Sequence, residues 1–116
     1  MVIQQGDIFW YDFDDPVVAG SKPAKSRPVI VVQLDALNES KLETVVVVPL
    51  TRNLDRADDL GNLLLRAADT GLDRDSVAVG CQVSVVNKED LHGWVSRLDA
   101  RLVDAVIASV QAVLGR

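Results

Sequence analysis

Two valine-rich segments constrain the fold of this chain more than any other feature. Residues 26–32 read Ser-Arg-Pro-Val-Ile-Val-Val, and residues 45–51 read Val-Val-Val-Val-Pro-Leu-Thr. Apolar, β-branched runs of this length favour buried strands. Arg27 stands near the start of the first segment and Thr51 is the last residue of the second. If the two strands pair antiparallel, these two polar side chains fall at the same end of the sheet.

A guanidinium and a hydroxyl at one edge of a sheet can bind a phosphate group. Arginine presents a planar fork of donors that matches two phosphate oxygens, and threonine can donate a further hydrogen bond. The predicted convergence of Arg27 and Thr51 is therefore the strongest functional indication in the sequence.

Size and composition predict one compact domain over residues 1–116. The chain has 116 residues, of which 48% are hydrophobic, enough for a packed core. No apolar run reaches the roughly 18 residues needed to cross a bilayer, and the N-terminal residues lack a signal-peptide pattern. We therefore expect a soluble cytoplasmic protein without membrane association.

The chain has one cysteine, Cys81, and one histidine, His92. An intrachain disulfide, a thiolate metal cluster and a histidine-rich metal site are therefore excluded, and we expect neither metal nor cofactor. Cys81 lies in a strand-like run, where we expect a buried structural thiol. His92 is expected on a late strand, away from Arg27 and Thr51, in a structural or solvated role.

The net charge of −5 argues against a general nucleic-acid-binding protein, because such domains are usually strongly basic. However, Lys22, Lys25 and Arg27 follow one another with no acidic residue between them. Charges are screened within about 8–10 Å at cellular salt concentration, so a local basic edge can act on an acidic protein. A solvated turn is the alternative interpretation of these three cations.

Hydrophobic periodicity predicts about six strands followed by one helix. The predicted strands cover residues 8–13, 27–34, 44–50, 60–66, 76–86 and 91–95, with a bulge at Gly80 in the fifth. Ser96 to Asp99 resembles a capping box that would begin an amphipathic helix of about 17 residues. This order predicts a mainly β protein with a C-terminal helix, built as a small, partly open antiparallel barrel.

The first strand and the segment after it differ in character. Residues 8–13 contain four of the five aromatic residues, which we interpret as core packing rather than as a platform for stacking bases. Residues 14–26 contain two prolines, a glycine and two lysines and are expected to form a long loop. Long loops in compact domains are often functional.

Several short motifs, in the same order, resemble the MazF/PemK toxin family. They are Gly6-Asp7-Ile8, Gly20-Ser21 followed by Arg27-Pro28-Val29-Ile30, Pro49-Leu50-Thr51, Asp75-Ser76-Val77 with Gln82, and the helix after Leu98-Asp99. The similarity runs from Gly6 to about Leu114. It implies an SH3-like barrel with a C-terminal helix (MazF/PemK/CcdB-like) that forms a homodimer.

The resemblance also implies an activity and partners. The activity is that of a metal-independent, ribosome-independent endoribonuclease toxin, which cuts single-stranded RNA, with mRNA as the expected substrate, at short sequences. The partner is an antitoxin whose acidic tail covers the RNA groove. Arg27 and Thr51 occupy the catalytic positions of the family. The predicted RNA-binding residues are Lys22, Lys25, Arg52, Ser76 and Gln82.

One segment departs from the family pattern. The family commonly reads Gly-Ser-Glu-Gln-Gly-Gly where this chain reads Gly20-Ser21-Lys22-Pro23-Ala24-Lys25. Proline and alanine are stiffer than glycine, and Lys22 adds positive charge where a phosphate backbone could pass. The departure therefore bears on loop mobility and on the preferred RNA sequence.

The mechanism we expect is attack of the ribose 2′-hydroxyl on the adjacent phosphate, which leaves a 2′,3′-cyclic phosphate and a 5′-hydroxyl. Arg27 and Thr51 would stabilise the negative charge on the phosphate oxygens. Arginine keeps its proton in proteins, so the proton acceptor stays unassigned. Asp75 is a candidate, although a role in a turn is the favoured interpretation.

Two other functions fit the same fold. A gyrase poison resembling CcdB would work through a tryptophan in its C-terminal tail, whereas the tryptophans here are Trp10 and Trp94. A catalytically silent barrel that only binds an antitoxin is the second alternative. Assays of RNA cleavage and DNA supercoiling distinguish these functions.

Overall fold

The structure is a computed structural model that describes residues 2–13 and 25–116. Within these ranges the chain forms seven strands and three α-helices. The strands are β1 (Asp7–Phe13), β2 (Lys25–Val31), β3 (Thr44–Thr51), β4 (Asn62–Leu65), β5 (Ser76–Val79), β6 (Ser84–Asn87) and β7 (His92–Arg97), and the helices are α1 (Asp35–Asn38), α2 (Ala67–Thr70) and α3 (Ala100–Val113). The predicted loop at residues 14–26 lies mostly outside the described residues.

All strand pairs are antiparallel, in the order β4-β5-β3-β2-β1-β7, and β6 also pairs with β3. One edge of β3 is shared by two partners. Residues 44–47 pair with β6, whereas Leu50 and Thr51 pair with β5. Because its partners change along its length, β3 bends the sheet into a barrel-like shape. The predicted mainly β fold with a C-terminal helix is confirmed.

Hydrophobic clusters cover both faces of the central strands. One cluster lies beneath α3 and contains Ile8, Ile30, Val48, Leu50, Leu65, Ala78, Leu98, Val103 and Val106. The other lies on the opposite face and contains Ile3, Phe9, Val29, Val31, Val45, Val47, Val86 and Leu91. Residues of β2 and β3 alternate between these clusters, which explains why both segments are apolar at nearly every position.

The predicted long strand over residues 76–86 is wrong, because a 3₁₀ turn (Gly80–Gln82) separates β5 from β6. The amide of Gly80 donates a hydrogen bond to the carbonyl of Gly61 at 2.9 Å. A Cβ atom at Gly80 would collide with that carbonyl and with the Ser109 carbonyl of α3. The backbone therefore passes close beneath the helix, and the chain changes direction there.

The surroundings of Cys81 follow from this turn. Cys81 is exposed, so the expectation of a buried thiol is wrong. The expectation assumed a continuous strand with an inward-facing side chain, whereas the 3₁₀ turn presents the thiol to solvent.

The predicted start of the last helix is also wrong. Ser96 and Arg97 still belong to β7, opposite Ile8 and Asp7, and the Ser96 hydroxyl donates to the carbonyl of Thr70. Helix α3 therefore begins at Ala100, has 14 residues and has Asp99 at its N-cap without a side-chain capping bond. Strand pairing outcompetes the local capping pattern at this position.

Across the part of the chain that the structure describes, there is no helix long and apolar enough to cross a membrane.

Candidate phosphate-binding site

Strands β2 and β3 pair antiparallel, as predicted, and then separate. The paired residues end at Val29 and Pro49. Beyond this pair, β2 stays with β1, where Arg27 lies opposite Tyr11, and β3 joins β5, where Thr51 lies opposite Val77. Proline has no N–H to donate to a strand ladder, and Pro28 and Pro49 stand where the two strands part. A gap opens between them as a result.

This gap holds an open pocket of about 230 Å³. The pocket is lined by three consecutive residues of β2, the last two residues of β3 with the residue that follows them, and one aromatic residue of β1. They are Ser26, Arg27, Pro28, Leu50, Thr51, Arg52 and Trp10. Arg27 and Thr51 are both half-buried. The two residues thus reach the same pocket from facing strands and remain accessible to a ligand.

The hydroxyl of Thr51 is oriented by its own backbone turn. Its Oγ1 accepts a hydrogen bond from the amide of Asn53 at 3.2 Å. A hydroxyl that accepts one hydrogen bond can still donate its proton. Thr51 can therefore donate to an anionic oxygen in the pocket while the turn restrains its rotamer.

The surroundings of Arg27 differ from those of Arg52 and Arg97, which also lie near strand ends. Arg52 pairs with Asp73 and Arg97 pairs with Asp7, with N–O distances of 3.1 and 3.0 Å. Within residues 2–13 and 25–116, by contrast, no carboxylate lies within ion-pair distance of the Arg27 guanidinium. Its charge is directed to a pocket that a phosphate could enter, and a guanidinium can hold two phosphate oxygens at once.

Arg52 also lines the pocket, but its charge is partly balanced. Its Nη2 lies 3.1 and 3.3 Å from the two carboxylate oxygens of Asp73. Both side chains are more than half exposed, so this pair is weak and can be exchanged for a contact with a ligand. Contact of Arg52 with RNA stays a prediction.

Of the remaining predicted RNA-binding residues, neither Ser76 nor Gln82 lines this pocket. Lys22 lies outside the described residues, and Lys25 begins β2 opposite Phe13. Gln82 is exposed on the 3₁₀ turn after β5. Ser76 is 2% exposed, and its Oγ donates to the carbonyl of Arg74 at 3.5 Å. Direct contact of Ser76 with RNA is not supported by this structure, because its hydroxyl is buried.

Asp75 and His92 occupy structural positions. The Oδ1 of Asp75 accepts a hydrogen bond from the amide of Ala67 at 2.8 Å, at the start of α2. This agrees with the favoured interpretation of Asp75 as a turn residue. His92 begins β7, with its Nε2 3.2 Å from the Oδ1 of Asp12, and both side chains are exposed. Among the described residues, no group of three or more histidine, cysteine or acidic side chains is placed to hold a metal ion.

Sequence reasoning missed Trp10. We assigned the aromatic residues of β1 to the core as one group, but Trp10 lines the pocket with Arg27 and Thr51. Strand alternation contained the signal, because Trp10 points to the face opposite from Phe9, Tyr11 and Phe13.

The fold and the pocket define a class of protein: a small antiparallel β protein with a C-terminal helix and a pocket, lined by an arginine and a threonine, at one end of the sheet. Comparison with known families gives the particular family. A family model described as "PemK-like, MazF-like toxin of type II toxin-antitoxin system" matches residues 4–114. The chain belongs to this family, so the predicted resemblance is confirmed.

Individual relatives agree with this assignment. Endoribonuclease MazF6 of Mycobacterium tuberculosis is 40% identical over 98% of both chains. Endoribonuclease EndoA of Bacillus subtilis is 31% identical over 98% of this chain and 96% of its own length.

Solved structures confirm the barrel-like fold. Mycobacterium tuberculosis toxin MazF-mt6 matches with a TM-score of 0.75 at 19% identity, over 94% of this chain and 96% of that chain. A MazE-MazF crystal structure (Form-III) from Deinococcus radiodurans matches with a TM-score of 0.76 at 18% identity, over 99% of this chain and 98% of that chain.

Proposed function

We propose that this chain is a toxin that acts as a metal-independent, ribosome-independent endoribonuclease on single-stranded RNA. One observation carries the proposal: Arg27 and Thr51 line a single open pocket between two diverging strands. The family assignment and the name endoribonuclease, which the relatives above share, support the same activity.

The chemistry we propose needs no nucleophile from the protein. The 2′-oxygen of a ribose attacks the adjacent phosphorus, a new O2′–P bond forms, and the bond from phosphorus to the 5′-oxygen of the next nucleotide breaks. The 2′-hydroxyl loses its proton, and the leaving oxygen gains one. The products are a 2′,3′-cyclic phosphate and a 5′-hydroxyl end.

Arg27 and Thr51 act on the transition state of this reaction. Negative charge accumulates on the phosphate oxygens, and the guanidinium of Arg27 can donate to two of them. The hydroxyl of Thr51, oriented by the amide of Asn53, can donate to another. Preorganised donors of this kind lower the barrier because they require no rearrangement during the reaction. Asp75 caps α2 in this scheme and takes no part in proton transfer.

We further propose how the chain is organised, where it acts and what it binds. The chain is one domain, works in the cytoplasm and forms a homodimer. An antitoxin with an acidic tail covers the RNA groove, in keeping with the family description and with the MazE-MazF complex among the structural neighbours. Lys22, Lys25, Arg52 and Gln82 remain the proposed RNA contacts outside the catalytic pair.

The proposal is tested with the purified chain and a long RNA in buffer containing EDTA. Mapping the 5′ ends of the fragments should show a few discrete cuts with 5′-hydroxyl termini. A short RNA with a mapped site is then compared with the same RNA carrying one 2′-deoxynucleotide 5′ to the cut. The substituted RNA should bind but stay intact, and its cleavage would exclude attack by the 2′-hydroxyl.

The gyrase-poison alternative is tested in parallel by DNA supercoiling with the same protein. No tryptophan stands in the C-terminal tail of this chain; Trp10 lines the pocket, and Trp94 donates from Nε1 to Asp7 at 3.1 Å. We therefore expect gyrase activity to be unaffected. A silent barrel would affect neither RNA nor gyrase.

A further inference from the structure

Trp10 is placed differently from the other aromatic residues of β1. Phe9 is 2% exposed, and Tyr11 and Phe13 pack against the same cluster, with their ring centroids 4.7 Å apart. Trp10 is half-buried and, within the described residues, belongs to neither hydrophobic cluster. A large aromatic side chain thus lies outside the core, on the wall of the pocket that Arg27 and Thr51 also line.

The indole of Trp10 is held in place by the strands beside it. Trp10 lies opposite Pro28 of β2 and opposite His92 of β7. A Cβ atom at Gly93 would lie 3.1 Å from Cδ1 of Trp10, and Gly93 has a φ of 60°, which favours glycine. The pyrrole side of the ring therefore packs closely against the backbone of β7. A ring restrained in this way loses little further freedom when a ligand stacks on it.

We propose that Trp10 stacks on the base of a nucleotide that flanks the phosphate held by Arg27 and Thr51. The inference rests on the proposed ribonuclease function and adds a base-binding residue to it. Trp10 pairs with Pro28 and Arg27 with Tyr11, so the two side chains leave opposite faces of the β1–β2 pair. Both nevertheless line the pocket, because it lies at the edge of β2 that β3 has left, so a base on Trp10 and a phosphate at Arg27 can belong to one nucleotide chain.

The size of the pocket fits this occupant. At about 230 Å³ it is smaller than the roughly 300–1,000 Å³ of sites that enclose a drug-sized ligand. It has room for one part of a polymer, such as a base together with its phosphate. Stacking on an aromatic ring tolerates every base, since each has a π face. Trp10 should therefore contribute to affinity at one position of the RNA more than to the choice of base.

Fluorescence gives the first test, because the chain contains only two tryptophans. Trp94→Phe leaves Trp10 as the only tryptophan, and Trp10→Phe leaves Trp94, which serves as the matched control. Each variant is titrated with the mapped RNA site that carries a 2′-deoxynucleotide 5′ to the cut. We expect saturable quenching with Trp94→Phe and little change with Trp10→Phe. Saturating RNA that leaves Trp10 emission unchanged would overturn the inference.

A second test separates stacking from a structural role. Cleavage by the parent and by Trp10→Ala is measured on the intact site and on RNAs that lack one base at a time. We expect Trp10→Ala to lower kcat/KM by about 5- to 150-fold on the intact RNA. On the RNA that lacks the stacked base, the same substitution should have almost no effect. Trp10→Phe should retain most of the activity.

Equal losses on the intact RNA and on every abasic RNA would mean that Trp10 only supports the fold. Thermal unfolding of Trp10→Ala shows whether the variant remains folded. If the parent chain cuts no RNA, the ribonuclease proposal fails on its own. Titration of Trp94→Phe with poly(U) and poly(A) then still decides whether Trp10 stacks on bases: quenching supports the inference, and its absence overturns it.

Discussion

The two ends of the central sheet use an arginine in opposite ways. Near the start of β1, Asp7 is 1% exposed and accepts hydrogen bonds from the Gln4 amide at 2.8 Å, Trp94 Nε1 at 3.1 Å and Arg97 Nε at 3.0 Å. At the other end, Arg27 stands on an open pocket with a hydroxyl from the facing strand. Arg97 thus stabilises a buried carboxylate, whereas Arg27 lines an open pocket. We call the cluster of Asp7 with its donors Gln4, Trp94 and Arg97 the Asp7 junction.

The difference follows from the burial of the Asp7 carboxylate and the accessibility of the Arg27 guanidinium. A carboxylate that has left water is stable only with its hydrogen bonds satisfied, so the donors around Asp7 serve the fold. A cation at an accessible pocket can instead exchange water for an anionic ligand. We therefore expect substitutions at the Asp7 junction to change stability and substitutions at the pocket to change activity.

Arg27→Lys should give the largest effect on activity. Lysine keeps the positive charge but cannot donate to two phosphate oxygens as a planar fork. We expect kcat for RNA cleavage to fall by about 10²–10³-fold, with the melting temperature nearly unchanged. Arg97→Lys is the control, because it makes the same replacement at the Asp7 junction. If both variants cleave RNA equally well, the contrast between the two ends is wrong.

Thr51→Val removes the hydroxyl but keeps the shape of the side chain. A hydrogen bond to a charged group contributes about 1.5–3 kcal/mol, so cleavage should slow by about 10- to 100-fold. The matched control is Thr44→Val, at the other end of β3, which should cleave RNA at the parental rate. A parental rate for Thr51→Val, measured in single-turnover reactions, would remove Thr51 from the mechanism.

Asp7→Asn tests the closed junction. The amide keeps one acceptor oxygen but turns an N–H group toward the donors around it. We expect the free energy of unfolding to fall by about 2 kcal/mol, measured by urea denaturation, while the cleavage rate per folded molecule is retained. Asp12→Asn removes the same charge from the exposed part of β1 and should cost far less. A selective loss of activity in Asp7→Asn would mean that the junction also shapes the site.

The predictable parts of this fold and site depend on local patterns. The valine-rich runs predict β2 and β3 because strand preference and burial are written into consecutive residues. Their antiparallel pairing then brings Arg27 and Thr51 to the same end of the sheet. The catalytic roles of these residues stay predictions, which the first two substitutions address.

The features that sequence reasoning missed depend on distant partners. The glycine at position 80 predicts an irregular strand, but the local sequence does not show that the chain turns there with the carbonyls of Gly61 and Ser109 close by. Ser96 resembles a helix cap, but it pairs with β1. Alternation along β1 separates Trp10 from the other aromatic residues. A pattern confined to one strand does not reveal the gap beside it, which opens where Pro28 and Pro49 end the ladder between β2 and β3.

Asp73→Asn should have the smallest effect on RNA cleavage among these substitutions. It tests the comparison between buried and accessible arginines with Arg52, a second arginine that lines the pocket. The pair of Arg52 with Asp73 is exposed, so its loss should change the free energy of unfolding by less than about 1 kcal/mol. The released Arg52 can then contact a phosphate, so KM for RNA should fall about twofold to threefold and depend more steeply on salt. Asp69→Asn, an exposed residue of α2, changes the net charge equally and is the control. If both variants change KM alike, the effect is one of overall charge, and Arg52 makes no specific contact with the RNA.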